Sequence, residues 1–293
     1  MIEKGKDIRK KYWRGALASA LLVFSMSLFY LDFKGSYKGL TFAMLDIGQG
    51  DALFIQSPTG KQIMFDGGPA HKVLGPLARV MPFYDKTIDA IVITNPDADH
   101  IGGFLDVLKN YKVKQVFESG TINGSKTYQN LEAEIKRQNI PDILVKRGMR
   151  LDIGGGAVID ILFPDRDVST WATNDGSVVA KLFYGNTSVM LTGDATALTE
   201  KIILKENTKE KLHSTILKVG HHGSRTSSSA DFVKATSPTY AFISDGKDNK
   251  YGHPHKEVLD TLAQFGVKVF RTDLLGTIIM KSDGQNVTFS FQK

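Results

Sequence analysis

Residues Thr94–Gly103 read TNPDADHIGG, and four potential oxygen or nitrogen ligands, Asn95, Asp97, Asp99 and His100, fall within six residues of one another there. Carboxylates crowded into so short a turn repel unless a cation or a proton is shared between them, and a divalent ion resolves that conflict. The run just before it, TIDAIVIT, is β-branched and apolar, as a buried strand requires. Just behind it, HIGGFLDVLKNY places Ile101, Phe104, Leu105 and Leu108 at spacings of three and four, the signature of a helix face. A strand that stops at acids and a histidine, with a helix starting behind, sets those side chains at the strand's C-terminal edge, where open sheets keep their ligands.

Working outward, LTFAMLDIG, DALFIQS and KQIMFDGG upstream read as short strands broken by glycine turns. Downstream, TYQNLEAEIKRQ reads as a helix, followed by strands AVIDILF, SVVAKLFYG and TSVMLTGD. The order then repeats: helix TALTEKIILKEN, strand STILKVG, a histidine-rich turn, strand TYAFISD, helix HKEVLDTLAQFG closed by Gly266, and strands KVFRT, GTIIMKS and NVTFSFQ. Two β-rich halves, each with helices, predict two sheets packed face to face with helices outside.

Three further strand ends carry metal-competent groups. Asp194 ends SVMLTGD; His221 and His222 follow STILKVG and precede Gly223, which permits close backbone approach; Asp66 ends KQIMFD and suits either orienting a ligating histidine or binding metal weakly. Either or both of His221 and His222 qualify as ligands. One metal ion, or two bridged by Asp194, would activate a water near neutral pH and take up charge on the attacked oxygen. Ser224 and Arg225 in GSRTSSS offer a hydroxyl and a phosphate partner, and His253 in NKYGHPH offers a proton to a leaving group. Asn174 and Asp175 in TNDGSVV form another polar turn that would face the site.

The 293-residue chain contains no cysteine, which excludes disulfides, thiolate ligands and cysteine nucleophiles without deciding the compartment. Residues 1–38 are set apart as a basic flank, KGKDIRKKYWR, followed by the uncharged run Gly15–Leu31. A membrane anchor with the main domain, 39–293, held outside the cytoplasm is the leading expectation; a cleaved signal releasing a secreted protein, and a buried helix, are the alternatives. This leader holds eight Lys/Arg against three Asp/Glu, so five of the six net positive charges lie in it and one in the remainder. The main domain is therefore near neutral, and the overall charge is no sign of a basic nucleic-acid groove.

The motifs LDIGQGDALFI, FDGG, TNPDADHIGG, NDGSVV, LTGD, VGHHGSRTSSS and YGHPHKEVL, taken in this order from Leu45 to Leu259, resemble the metallo-β-lactamase superfamily. More narrowly, they resemble the extracytoplasmic β-lactamase-like domain of ComEC-type competence proteins and their free-standing relatives. The resemblance implies an α/β fold, a four-layer αββα sandwich with metals at one edge. In the superfamily's HxHxDH motif the first His falls on Asn95 and the second on Asp97, while Asp99 and His100 are retained. The bridging Asp falls on Asp194, the last His on His221 or His222, and the middle His has no counterpart, Asn174 and Asp175 occupying its region. Zn or Mn is expected, with Mg an alternative, and a pocket poorer in imidazole favours harder ions, Mn or Mg over Zn, at the depleted position. The resemblance implies a nuclease or phosphodiesterase acting on extracytoplasmic DNA, with a separate DNA-uptake channel protein as a partner. Its rivals are a hydrolase of a small ester, lactone or phosphate compound, and a membrane-tethered binding or assembly module with a degenerate metal site.

Overall fold

Alternation along the first strands decides the layering. In β1 (Leu40–Met44), Phe42 and Met44 point to one side and Ala43 to the other; in β2 (Ala52–Gln56), Leu53 and Ile55 oppose Phe54; in β3 (Gln62–Gly67), Ile63 and Phe65 oppose Met64. With a side-chain period of two, strands apolar on both faces must be covered on both faces. A computed structural model, which describes residues 12–27 and 38–293, shows how.

The remaining strands are β4 (Thr87–Ile88), β5 (Ala90–Ile93), β6 (Lys112–Val113), β7 (Val116–Glu118), β8 (Asp142–Leu144), β9 (Arg150–Gly154), β10 (Ala157–Phe163), β11 (Val179–Tyr184), β12 (Thr187–Leu191), β13 (Ile216–Lys218), β14 (Tyr240–Ile243), β15 (Lys268–Arg271), β16 (Thr277–Ser282) and β17 (Val287–Gln292). One sheet runs β17-β16-β1-β2-β3-β5-β7-β8, the other β15-β14-β13-β12-β11-β10-β9, and β4 pairs with β6. Phe42, Ile55, Phe65 and Val92 of the first sheet meet Ile159, Leu182, Val189 and Phe242 of the second in an inner core. The outer face of the first sheet, with Phe54, Met64 and Ile91, is covered by Leu77, Phe104, Val107, Leu131 and Ile135 from helices. The outer face of the second, with Met190, Leu217 and Ala241, is covered by Ile203, Phe232, Val233 and Leu262. At roughly 1.5–3 kcal/mol for each large apolar side chain buried, these three clusters drive the αββα sandwich together.

Within this frame, β3, β5 and β7 are parallel, as are β12, β13, β14 and β15. Parallel strands end together, so Asp66, Thr94, Thr192–Asp194, Val219–Gly223 and Ser244 share one rim of the sandwich. The tight approach of these loops explains two glycines. A Cβ on Gly50, which has φ +126°, would stand 2.2 Å from the Asp99 carbonyl oxygen, and one on Gly103 would stand 2.0 Å from that of Gly67.

The chain divides into the units Met1–Lys38 and Gly39–Lys293. In the first, a helix occupies residues 12–27, and the Ser27 hydroxyl donates to the Val23 carbonyl. Among the described residues no helix is long and apolar enough to cross a membrane. This corrects the expected transmembrane anchor, the membrane as a partner and the membrane location of the main domain. The basic flank before residue 12 and the end of the apolar run, residues 28–31, lie outside the described residues.

Candidate metal centre

Two buried histidines define the centre, and each is held by its Nδ1. The Asp66 carboxylate accepts from His100 Nδ1 at 2.8 Å, from the Thr94 hydroxyl at 2.6 Å and from the Thr94 amide at 2.8 Å. His222 Nδ1 donates to the Ser244 carbonyl at 3.0 Å. With the protons assigned to Nδ1 by these acceptors, both Nε2 atoms present lone pairs, and neither has a hydrogen-bond partner although both rings are shut off from solvent. His100 Nε2 stands 3.1 Å from Asp194 Oδ2, off the line a hydrogen bond needs; His222 Nε2 stands 3.5 Å from the same oxygen and 3.6 Å from Asp99 Oδ2.

These separations suit an ion. A tetrahedral site with bonds of about 2.0–2.2 Å has ligand–ligand edges of roughly 3.3–3.6 Å. Asp99, His100 and His222 form one group able to hold a metal, and Asp194 joins His222 in an overlapping one. The donor set, two buried imidazole nitrogens without partners beside the carboxylates of Asp194 and the partly exposed Asp99, therefore fits a divalent cation. The electrostatics show the same concentration of negative charge. Burial opposes charge on the His100 ring, yet Asp194 and Asp66 overcome it and hold its pKa well above the ordinary imidazole value. Against the same burial, Asp194 and Asp51 push His222 up to about 10, and, against the burial of its own carboxylate, the nearby His222 and His100 rings lower Asp99 to about 2.

Local backbone builds this convergence. After β13 the chain turns through His221 (φ +48°), His222 (φ +55°) and Gly223 (φ +83°), which swings both rings toward the rim. Non-glycine residues there cost on the order of 1–3 kcal/mol each. The turn is pinned from below: the His221 amide donates to the Gly193 carbonyl at 3.2 Å, Gly220 to Ser228 Oγ at 3.1 Å, and the buried Glu200 accepts from the amides of Ser228 and Ser229.

The other expected groups are distributed as follows. His221 is partly exposed, 3.7 Å from Asp194 Oδ2 through Nε2, with its Nδ1 3.0 Å from Thr226 Oγ1. The His253 ring lies 5.6 Å from that of His221 and 6.3 Å from that of His222, at the same rim, and its buried Nδ1 has no partner. Burial and the neighbouring imidazoles lower its pKa to about 4. Asp97 belongs to none of the candidate metal groups among the described residues, and both Asn95 and Asp97 are engaged in hydrogen bonds. Asn95 Oδ1 accepts from the Asp97 amide and its Nδ2 donates to Ser177, while Asp97 accepts from Asn123 Nδ2 and the Thr173 hydroxyl. Asp175 accepts from the Thr196 hydroxyl, and Asn174 keeps a buried, unpartnered Oδ1. Ser224 Oγ bonds within its turn to Thr226, and the exposed Arg225 faces Glu257 at 3.9 Å.

Two residues at the centre were not singled out from the sequence. Asp51, held where the Gly50 turn lets its amide reach the Asp99 carbonyl at 3.2 Å, is buried with its Oδ1 3.4 Å from His222 Nδ1. Lys218, fully buried, closes onto Asp51 Oδ2 and donates to the Gly193 carbonyl at 2.6 Å. The signal for Lys218 was present, since it is the one charge within the apolar strand STILKVG.

The superfamily described as metallo-beta-lactamase matches residues 45–244, more than half of the chain. The chain belongs to the metallo-β-lactamase superfamily. Among curated relatives, it is 33% identical over 265 residues to ComE operon protein 3 of Bacillus subtilis, covering 84% of this chain and 34% of that protein. It is 30% identical over 278 residues to Recombination protein 2 of Haemophilus influenzae, covering 93% of this chain and 32% of the relative. The chain thus spans about a third of the length of these relatives. Among solved structures, Igni18, a metallo hydrolase of the archaeon Ignicoccus hospitalis, shares the fold at a TM-score of 0.51 and 15% identity, covering 86% of this chain and 100% of that one. This superfamily member, with its αββα frame and its convergent Asp/His cluster, is a metal-dependent hydrolase with a divalent cation as cofactor.

Proposed function

We propose that the unit Gly39–Lys293 hydrolyses phosphodiesters, with single-stranded DNA as its substrate. The observation that carries the proposal is the ligand set at the rim: Asp99, His100, Asp194 and His222 would hold the ion, and Asp99 leaves part of its side chain open to solvent. When bound, a divalent ion there would lower the pKa of water and stabilise charge on a phosphoryl oxygen. The protein's own groups supply the rest. Asp66 and the Ser244 carbonyl fix the two rings so that Nε2 faces inward. His253, across the rim, holds or moves a proton at its free Nδ1.

The resemblance to competence and recombination proteins supports DNA as the polymer. The near-neutral main unit supports a short single-stranded contact over a long duplex track, because each phosphate contact calls for a Lys or Arg. That same charge balance favours, as the second reading, a small ester, lactone or phosphate compound. To test both, the full chain is stripped of metal and reconstituted with Mn, Zn or Mg. It is then offered end-labelled single- and double-stranded DNA, bis(p-nitrophenyl) phosphate and a lactone. Metal-dependent cleavage of the single strand, lost in Asp99→Ala, is expected. Turnover of the lactone alone would establish the second reading, and no turnover of anything would overturn both.

A further inference from the structure

Asp194 divides its two oxygens between different partners. Oδ2 faces the imidazoles, 3.1 Å from His100 Nε2, 3.5 Å from His222 Nε2 and 3.7 Å from His221 Nε2. Oδ1 faces the other way, 3.8 Å from Lys218 Nζ. A carboxylate that bridges two ions gives one oxygen to each, so an ammonium at the second oxygen competes with a second ion. The ammonium donates to the Gly193 carbonyl and closes onto Asp51 Oδ2, with Asp194 Oδ1, which has no hydrogen-bond partner, in charge contact at 3.8 Å. Lys218 and Asp51 are 0% and 1% exposed, so no solvent screens the charges. Removing one partner from such a buried pair leaves an uncompensated charge, which is far costlier than the pair itself. Meanwhile Asn95 and Asp97, the side chains nearest in sequence that would serve a second ion, are committed to Ser177, Asn123 and Thr173.

We propose that the Asp51–Lys218 pair is a positioning device that holds Asp194 as a one-oxygen ligand and fixes the centre at a single divalent ion. The proposal rests on the metal-hydrolase reading above but not on its substrate. Charge balance agrees with it. Four carboxylates (Asp51, Asp66, Asp99 and Asp194) surround the centre against one ammonium, leaving three negative charges when the imidazoles are neutral. One divalent ion brings the sum to −1, whereas two would bury a net positive charge. Lys218 touches no reacting group; it acts through Asp194.

The test counts ions. Metal-stripped full chain is saturated with Mn(II), washed, and analysed by inductively coupled plasma mass spectrometry, with affinity measured by competition against a chelating dye. The wild type is expected to hold one equivalent. Lys218→Ala frees these oxygens for a hard cation and is expected to hold two, and Lys218→Ala with Asp51→Asn to return to one. Two equivalents in the wild type, or one in Lys218→Ala, overturns the proposal. Should Lys218→Ala fail to fold, Asp51→Asn decides. It leaves Asp194 as the one carboxylate beside the ammonium, which keeps the Gly193 carbonyl, and is expected to weaken Mn(II) binding at least tenfold at unchanged stoichiometry; unchanged affinity overturns the proposal. Because ions are counted without any substrate, single-ion binding by a protein inert toward phosphodiesters would sink the proposed function alone. Phosphodiester cleavage by a two-ion wild type would sink this inference alone.

Discussion

Replacing Asp66 by Asn changes no volume at the centre but reverses the logic of its hydrogen bonds. Asp66 accepts three: from the Thr94 amide on Oδ1, and from the Thr94 hydroxyl and His100 Nδ1 on Oδ2. Asparagine offers one oxygen and one NH2 group. If the oxygen stays opposite the Thr94 amide, the new NH2 faces His100 Nδ1, which must then accept. The imidazole proton moves to Nε2 and removes the lone pair aimed at the ion. If the amide flips, the NH2 meets the Thr94 N–H, and that buried donor is left unmet at a cost of about 1–3 kcal/mol. The first arrangement is cheaper. Stability of the metal-free protein should therefore fall by less than about 2 kcal/mol, while metal affinity falls roughly 10–100-fold, as losses of ligand-orienting carboxylates do. In free energy that is about 1.4–2.7 kcal/mol of binding. Urea unfolding of the metal-free protein gives the first quantity, and Mn(II) competition against a chelating dye gives the second. An Asp66→Asn protein that folds as well as the wild type and binds Mn(II) within twofold of it would refute the argument that Asp66 sets the His100 tautomer.

Gly50→Ala places a Cβ 2.2 Å from the Asp99 carbonyl at a backbone angle that favours glycine, and should cost at least ~2 kcal/mol in urea unfolding together with metal affinity, since Asp99 is pushed. Glu200→Ala strips the acceptor from two amides beneath the histidine turn and should destabilise by about 2–4 kcal/mol, with faster amide exchange at Ser228 and Ser229 as the direct check. Glu118 shares its site with Asp142 and Glu132, and burial, then those two charges, raise its pKa to about 8. Its folded pKa exceeds the unfolded value near ~4.3, so the folded protein binds the extra proton and loses stability as pH rises from about 4.3 to about 8. Glu118→Gln should flatten that slope and be the more stable protein at pH 8 by ~2–4 kcal/mol, with little difference at pH 4; equal slopes in urea titrations would refute the assignment.

The layers of the fold were legible because alternation and turn glycines are local. Phe42 and Met44 against Ala43 already state that β1 is covered twice. The ends of β5, β12 and β13 were legible as ligand sites for the same reason, since a polar cluster behind an apolar run marks a rim. Asn95 and Asp97 show where that logic stops. In sequence they stand within five residues of His100, and only the long-range loops bearing Asn123, Thr173 and Ser177 supply their hydrogen-bond partners. Lys218 shows the converse. A lone lysine in a buried strand reads as an oddity until Asp51, 167 positions earlier, and Gly193 close around its ammonium. The anchor fails for a third reason: apolarity was judged over Gly15–Leu31 as a run of residues, whereas spanning a bilayer needs a long apolar helix, and among the described residues there is none. On the one-ion proposal, the number of ions at this centre depends less on how many histidines the motif retains than on the charge beside Asp194 Oδ1, and that charge is Lys218, from the strand that delivers His222.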